Sequence, residues 1–184
     1  MSGRMISFSF TVIVFFASLV AVAWYYYRRR APNTTWEILV SRLIALDRDA
    51  VEKIALDAIT ETGERRQDEH ALELEPEEVW HLIGGLKGVE ALEHNSKVLI
   101  DMASYIEKWY PEALETADEL RLSAREIEWH VSRLRAASET GKLEILFHTY
   151  AQDAVASYYI MTRNLLAMYQ RGNFEMFANL QRTI

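Results

Sequence analysis

A chain of 184 residues, half of them hydrophobic, has room for one single-core domain beside a membrane segment. Residues 1–30 hold four of the 20 basic residues (Arg4, Arg28, Arg29, Arg30) and no acid, which leaves 16 basic against 27 acidic residues and a charge near −11 for the rest; such a surface argues against nucleic acid as a partner, because phosphate binding rests on a basic patch. The lack of cysteine excludes disulfides, thiolate metal sites, cysteine nucleophiles and cysteine lipidation, and fits a cytoplasmic domain.

From Ile6 to Tyr27 the run ISFSFTVIVFFASLVAVAWYYY contains no charge over 22 residues. As a helix it would reach roughly 33 Å, enough for a hydrocarbon core. Trp24, Tyr25, Tyr26 and Tyr27 stand where an aromatic belt meets the headgroups, and Arg28, Arg29 and Arg30 form a basic stop. Only Arg4 and the terminal amine flank the other end. The positive-inside bias therefore predicts a single-pass signal anchor over residues 6–27, N-terminus outside and the bulk of the chain cytoplasmic, with the lipid bilayer as its partner. The competing reading is export after signal-peptide cleavage near Ala23, because Ala21-Val22-Ala23 has the small-x-small form. The three arginines that follow resist translocation, and four aromatics occupy a region that would otherwise be polar, so the anchor is preferred.

The domains then read as an anchor over 1–30, a short linker over 31–35 containing Pro32, and an all-α domain over 36–184, an antiparallel bundle of about five to six helices. Trp36, Leu39, Leu43, Leu46, Ala50, Ile54 and Ala58 recur at helical spacing, as one long helix or as two, with Asp49 and Glu52 as a capping box if the helix is interrupted. Residues 63–75 are charged and lack a period, which predicts a flexible solvated loop. Pro76 suits the first position of a short helix, and Gly84, Gly85 and Gly88 mark the turn after it.

Three longer helices follow. Their stripes are Val89, Leu92, Ser96, Leu99, Ala103, Ile106 and Tyr110; then Ala113, Ala117, Leu120, Ala124, Ile127, Val131 and Leu134; then Leu143, Phe147, Tyr150, Ala154, Tyr158, Met161, Leu165 and Met168. Gly141 predicts an antiparallel hairpin between the last two, with Phe147, Tyr150 and Tyr158 filling the space left by Ala113, Ala117 and Ala124. A short amphipathic helix over residues 173–184 carries Phe174, Phe177 and Leu180 on one face, a possible partner face if it does not dock on its own domain.

Four histidines follow a glutamate by four residues (Glu77/His81, Glu90/His94, Glu126/His130, Glu144/His148), a spacing that reads as surface helix pairs. Glu78 and His81 alone have the Glu-x-x-His spacing of di-metal carboxylate bundles, and the second copy is missing. Arg121, Arg125 and Arg133 with Trp129 form a small basic and aromatic group on one helix, interleaved with Glu126 and Glu128 as on a solvated face. No serine sits in a nucleophile elbow and no phosphate loop is complete. The expected function is thus a non-enzymatic, membrane-anchored helical scaffold that presents an acidic bundle at the cytoplasmic membrane face to a protein partner or to itself, without a cofactor. The alternative is a metal-dependent bundle enzyme using Glu78 and His81.

Overall fold

The computed structural model describes residues 14–20, 35–60, 66, 73–107, 110–111, 113–172, 174 and 176–184. It divides into two compact units, residues 1–34 and 35–184. In the first, α1 (residues 14–20) is a helix whose Val14, Phe15, Phe16, Leu19 and Val20 are all exposed. The rest of the expected span, with Ile6, Trp24, Tyr27, Arg28, Arg29 and Arg30, lies outside the described residues, as does most of the expected loop over 63–75. Among the described residues no helix is long and apolar enough to cross a membrane.

The second unit is all-helical among its described residues: α2 (Trp36–Ser41), α3 (Arg48–Ala58), α4 (Pro76–Ile83), α5 (Gly85–Ile106), α6 (Ala113–Glu139), α7 (Leu143–Arg171) and α8 (Phe177–Thr183). The segment from Trp36 forms two helices, the second of the two arrangements its spacing allows, broken over residues 42–47, which brings the described helices of this unit to seven against the expected five to six. The cap that restarts it is Asp47, whose carboxylate accepts from the Ala50 N–H at 3.1 Å, rather than the expected Asp49.

The α6–α7 hairpin forms as expected. Gly141 takes the left-handed conformation at φ +70°, and the Lys142 N–H closes the end of α6 on the Ala137 carbonyl at 2.8 Å. All seven residues of the expected α6 seam are buried. Removing such apolar side chains from water contributes roughly 1.5–3 kcal/mol for each large one. The register is marked by Ser157, which donates to Glu126 at 2.8 Å, and by His130, whose Nδ1 lies 3.9 Å from Asp153. This register corrects one expectation. Phe147 and Tyr150 lie at the hairpin end, against Trp80 at 4.4 Å between ring centroids and Trp129 at 5.6 Å, far from Ala113 and Ala117.

Helices α3, α4, α5, α6 and α8 all pack on α7. From α2, Trp36 adds its ring to Tyr169 of α7, with centroids 5.3 Å apart. Tyr169 is fully buried and its hydroxyl donates to the Met102 carbonyl of α5 at 3.1 Å, so the polar end of the ring is satisfied inside the core.

At the α4–α5 corner Gly84 and Gly85 both take the left-handed conformation, at φ +79° and +65°, and Gly85 opens α5. Gly88 serves closeness rather than turning, since a Cβ there would lie 1.6 Å from the Ile83 carbonyl oxygen. Gly88→Ala is therefore expected to lower unfolding stability by about 3 kcal/mol through overpacking against backbone. Gly84→Ala, whose added methyl meets nothing within 4 Å, should cost only about 1 kcal/mol from its left-handed backbone. Denaturant unfolding of the two variants reads this order, and equal losses would contradict it.

Candidate functional site

The residues with metal-site spacing do not converge. Glu78 forms an ion pair with Lys53 of α3, and His81 is exposed on the same helix. Among the described residues no group of three or more His, Asp or Glu is placed to hold a metal ion. The surface-pair reading of the other histidines is corrected as well. His130 is buried beside Asp153 and against the rings of Trp129 and Tyr150. The Nε2 of His94 lies 2.9 Å from the Arg42 carbonyl, and that of His148 lies 3.1 Å from the Leu74 carbonyl, so both act as clasps on neighbouring segments. The glutamates are engaged elsewhere: Glu90 binds Arg135, and Glu126 accepts from Ser157.

The expected partner face of α8 and the residues before it is used internally. Leu180 is fully buried, while Phe174 and Phe177 are half-buried, Phe174 against the rings of Tyr110 and Tyr169. Docking on its own domain satisfies this face.

Two surfaces stand out in their place. The first is the solvent side of α6. Leu122 is 65% exposed, Leu114 49% and Trp129 47%, an unusual amount of large apolar side chain for one helix face. Arg133 lies over the Trp129 ring at 5.1 Å, and Arg121 is paired with Asp118. The basic and aromatic group of the sequence reading is therefore one flank of a longer apolar stripe.

The second is a cleft of about 530 Å³ bounded by the 42–47 link, α3, α7 and α8. Its link wall is held by Asn95, only 2% exposed, whose side-chain amide pairs with the Ile44 backbone in both directions, accepting from the N–H and donating to the carbonyl at 2.8 Å each. Asn95 also donates to the Tyr158 hydroxyl at 3.3 Å. Burial pushes the Tyr158 hydroxyl up to about 12, with the Asn95 contact acting in the opposite sense. Asn95 stands three residues after Leu92 and four before Leu99, an apolar helix position, and that placement is the one sequence signal for a buried polar pin.

Replacing Asn95 by Leu removes both bonds to Ile44, and is expected to cost about 1–3 kcal/mol and to accelerate hydrogen exchange of the Ile44 amide; unchanged exchange there would show that the pin does not hold the link. The tyrosines predict an alkaline limit. Folded Tyr158 and Tyr169 both keep their protons above the usual phenol range of about 10, chiefly through burial. The stabilising contribution of Tyr158 is complete below about pH 10 and is lost as pH rises through about 12, and that of Tyr169, raised further, is lost at still higher pH. In a Tyr158→Phe/Tyr169→Phe variant the denaturation midpoint should fall less steeply over that window than in the parent chain.

Compared with known proteins, the chain matches no family model, no curated protein and no solved structure.

Proposed function

We propose that this is a membrane-anchored, non-enzymatic interaction protein whose acidic helical bundle stands at the cytoplasmic membrane face and meets a second copy of itself through the outer side of α6. The anchor is supported by the uncharged run over residues 6–27, its aromatic and basic end, and the exposed apolar side chains of α1.

The pattern on α6 carries the reading of the partner. Leu122 stands two residues from both Leu120 and Ala124, about 200° around the helix from the buried seam. Leu114, Asp118, Leu122, Arg125 and Trp129 follow at steps of four, four, three and four, so they share one side of the helix. Burying such a stripe against a partner is favourable by about 25 cal/mol for each Å² of apolar surface.

Turned antiparallel on itself with a two-fold axis beside Leu122, the stripe is self-complementary. Leu122 meets Leu122, Leu114 of each copy meets Trp129 of the other, and Asp118 faces Arg125 twice. Sliding the axis to Arg125 would oppose like charges and is disfavoured. The net negative charge of the domain opposes pairing at long range, so association strengthens as salt screens it.

The cysteine-free chain makes the register directly measurable by disulfide cross-linking of full-length protein in membranes. Leu122→Cys is expected to cross-link with itself, because its axial offset across the two-fold is about 1.5 Å. Trp129→Cys alone should not, its offset being about 22 Å, but should cross-link to Leu114→Cys when the two variants are mixed. Self-linking of Trp129→Cys as strong as that of Leu122→Cys, or no linking at any of the three, would contradict the pairing.

A further inference from the structure

The cleft between the 42–47 link, α3, α7 and α8 has a charge opposite to that of the domain around it. Arg48, Arg163 and Arg182 line it against a single side-chain carboxylate, Glu52, while residues 31–184 together stand near −11. Glu52 is engaged by the Tyr159 hydroxyl at 3.4 Å, and the Arg163 guanidinium stacks 5.7 Å from the centre of the Tyr159 ring. Arg48 spends one nitrogen on the Gln181 carbonyl at 2.9 Å, which ties the start of α3 to α8 and sets the width of the cleft there. Among the described residues no side-chain carboxylate forms an ion pair with Arg48, Arg163 or Arg182.

Three guanidinium groups around one cavity repel one another, and an anion between them relieves that repulsion while accepting planar, charge-assisted hydrogen bonds. The walls between the arginines are mixed: Tyr158, Leu166 and Phe177 present apolar and aromatic surface, Thr162, Gln170 and Gln181 polar groups. A volume of about 530 Å³ falls in the range of small-molecule sites. We infer that this cleft binds a phosphoryl-bearing anion with an apolar body, Arg163 and Arg182 taking the phosphoryl oxygens and Tyr158, Leu166 and Phe177 the apolar part. A phosphomonoester suits it better than a carboxylate. It carries close to two negative charges at neutral pH and three acceptor oxygens, against three guanidinium groups that outnumber the carboxylates of the lining, those of Glu52 and of the terminal Ile184.

Two sources carry that chemistry, a soluble phosphomonoester and a phosphatidic-acid headgroup. Isothermal titration of the detergent-solubilised full-length chain separates them, with phenyl phosphate as the soluble probe, dihexanoyl phosphatidic acid as the lipid probe and dihexanoyl phosphatidylcholine as control. Saturable binding of either phosphate probe, absent with the control and weakened about tenfold or more by Arg163→Gln and by Arg182→Gln, is the expected result. Binding of both probes marks a site for phosphomonoesters in general, and binding of the lipid probe alone marks a headgroup site. Both arginines are exposed, so the variants should keep the helical circular dichroism of the parent. No saturable binding of either probe, or equal binding by parent and variants, would overturn the inference. No residue of the α6 stripe lines the cleft, so a chain that fails to self-associate would still bind the probes.

Discussion

The bundle depends on one constraint, the enclosure of the middle of α7. Residues 154–158 are buried without interruption, because α3, α4, α5, α6 and α8 approach this helix from different sides. A helix so enclosed has little solvent face on which to place polar groups, and each of its buried polar side chains therefore needs an internal partner. Gln152 donates to Asp57 at 2.8 Å, Ser157 to Glu126, and Thr162 to the Tyr159 carbonyl at 2.8 Å. Asp57 in turn accepts from the Glu73 and Leu74 N–H groups, so the same contact that satisfies α7 positions the approach to α4. Enclosure of one helix thus fixes the placement of segments far away in the chain.

The polar pins and the two candidate surfaces are connected through this arrangement. Asn95 holds the 42–47 link, the link forms one wall of the arginine-lined cleft, and Tyr158 of α7 stands between them. On the opposite side of the hairpin, α6 needs only its inner seam to cover α7, which leaves its outer face available for other work. The exposed leucines there contribute nothing to the seam, while Trp129 sets one side of its ring against Tyr150 of α7, and the proposed self-association would cover what remains exposed of all three.

The three long helices were legible because each repeats its apolar stripe over seven or more positions, and most of those positions are buried. The break at 42–47 was legible only as one of two alternatives, because Leu43 and Leu46 continue the period through a segment that has left the helix, and both remain partly buried. Gly88 reads as a turn residue by type, whereas its role is a close approach that only the packed backbone reveals. The cleft could not be read at all: Arg48, Arg163 and Arg182 are scattered along the chain, and each alone resembles an ordinary solvated charge. The α6 surface was half legible. Trp129 with Arg125 and Arg133 is visible as a group, but the exposure of Leu114 and Leu122 follows only once the inner seam is placed.

The proposed pairing brings two copies of the chain together through the outer face of α6. Sedimentation equilibrium of the full-length protein in density-matched detergent tests it most directly. The expected protein mass is twice that of the 21.4 kDa chain, returning to 21.4 kDa for Leu122→Glu with its helical content intact. A parent chain that stays at 21.4 kDa across concentration, or a dimer indifferent to Leu122→Glu, would contradict it.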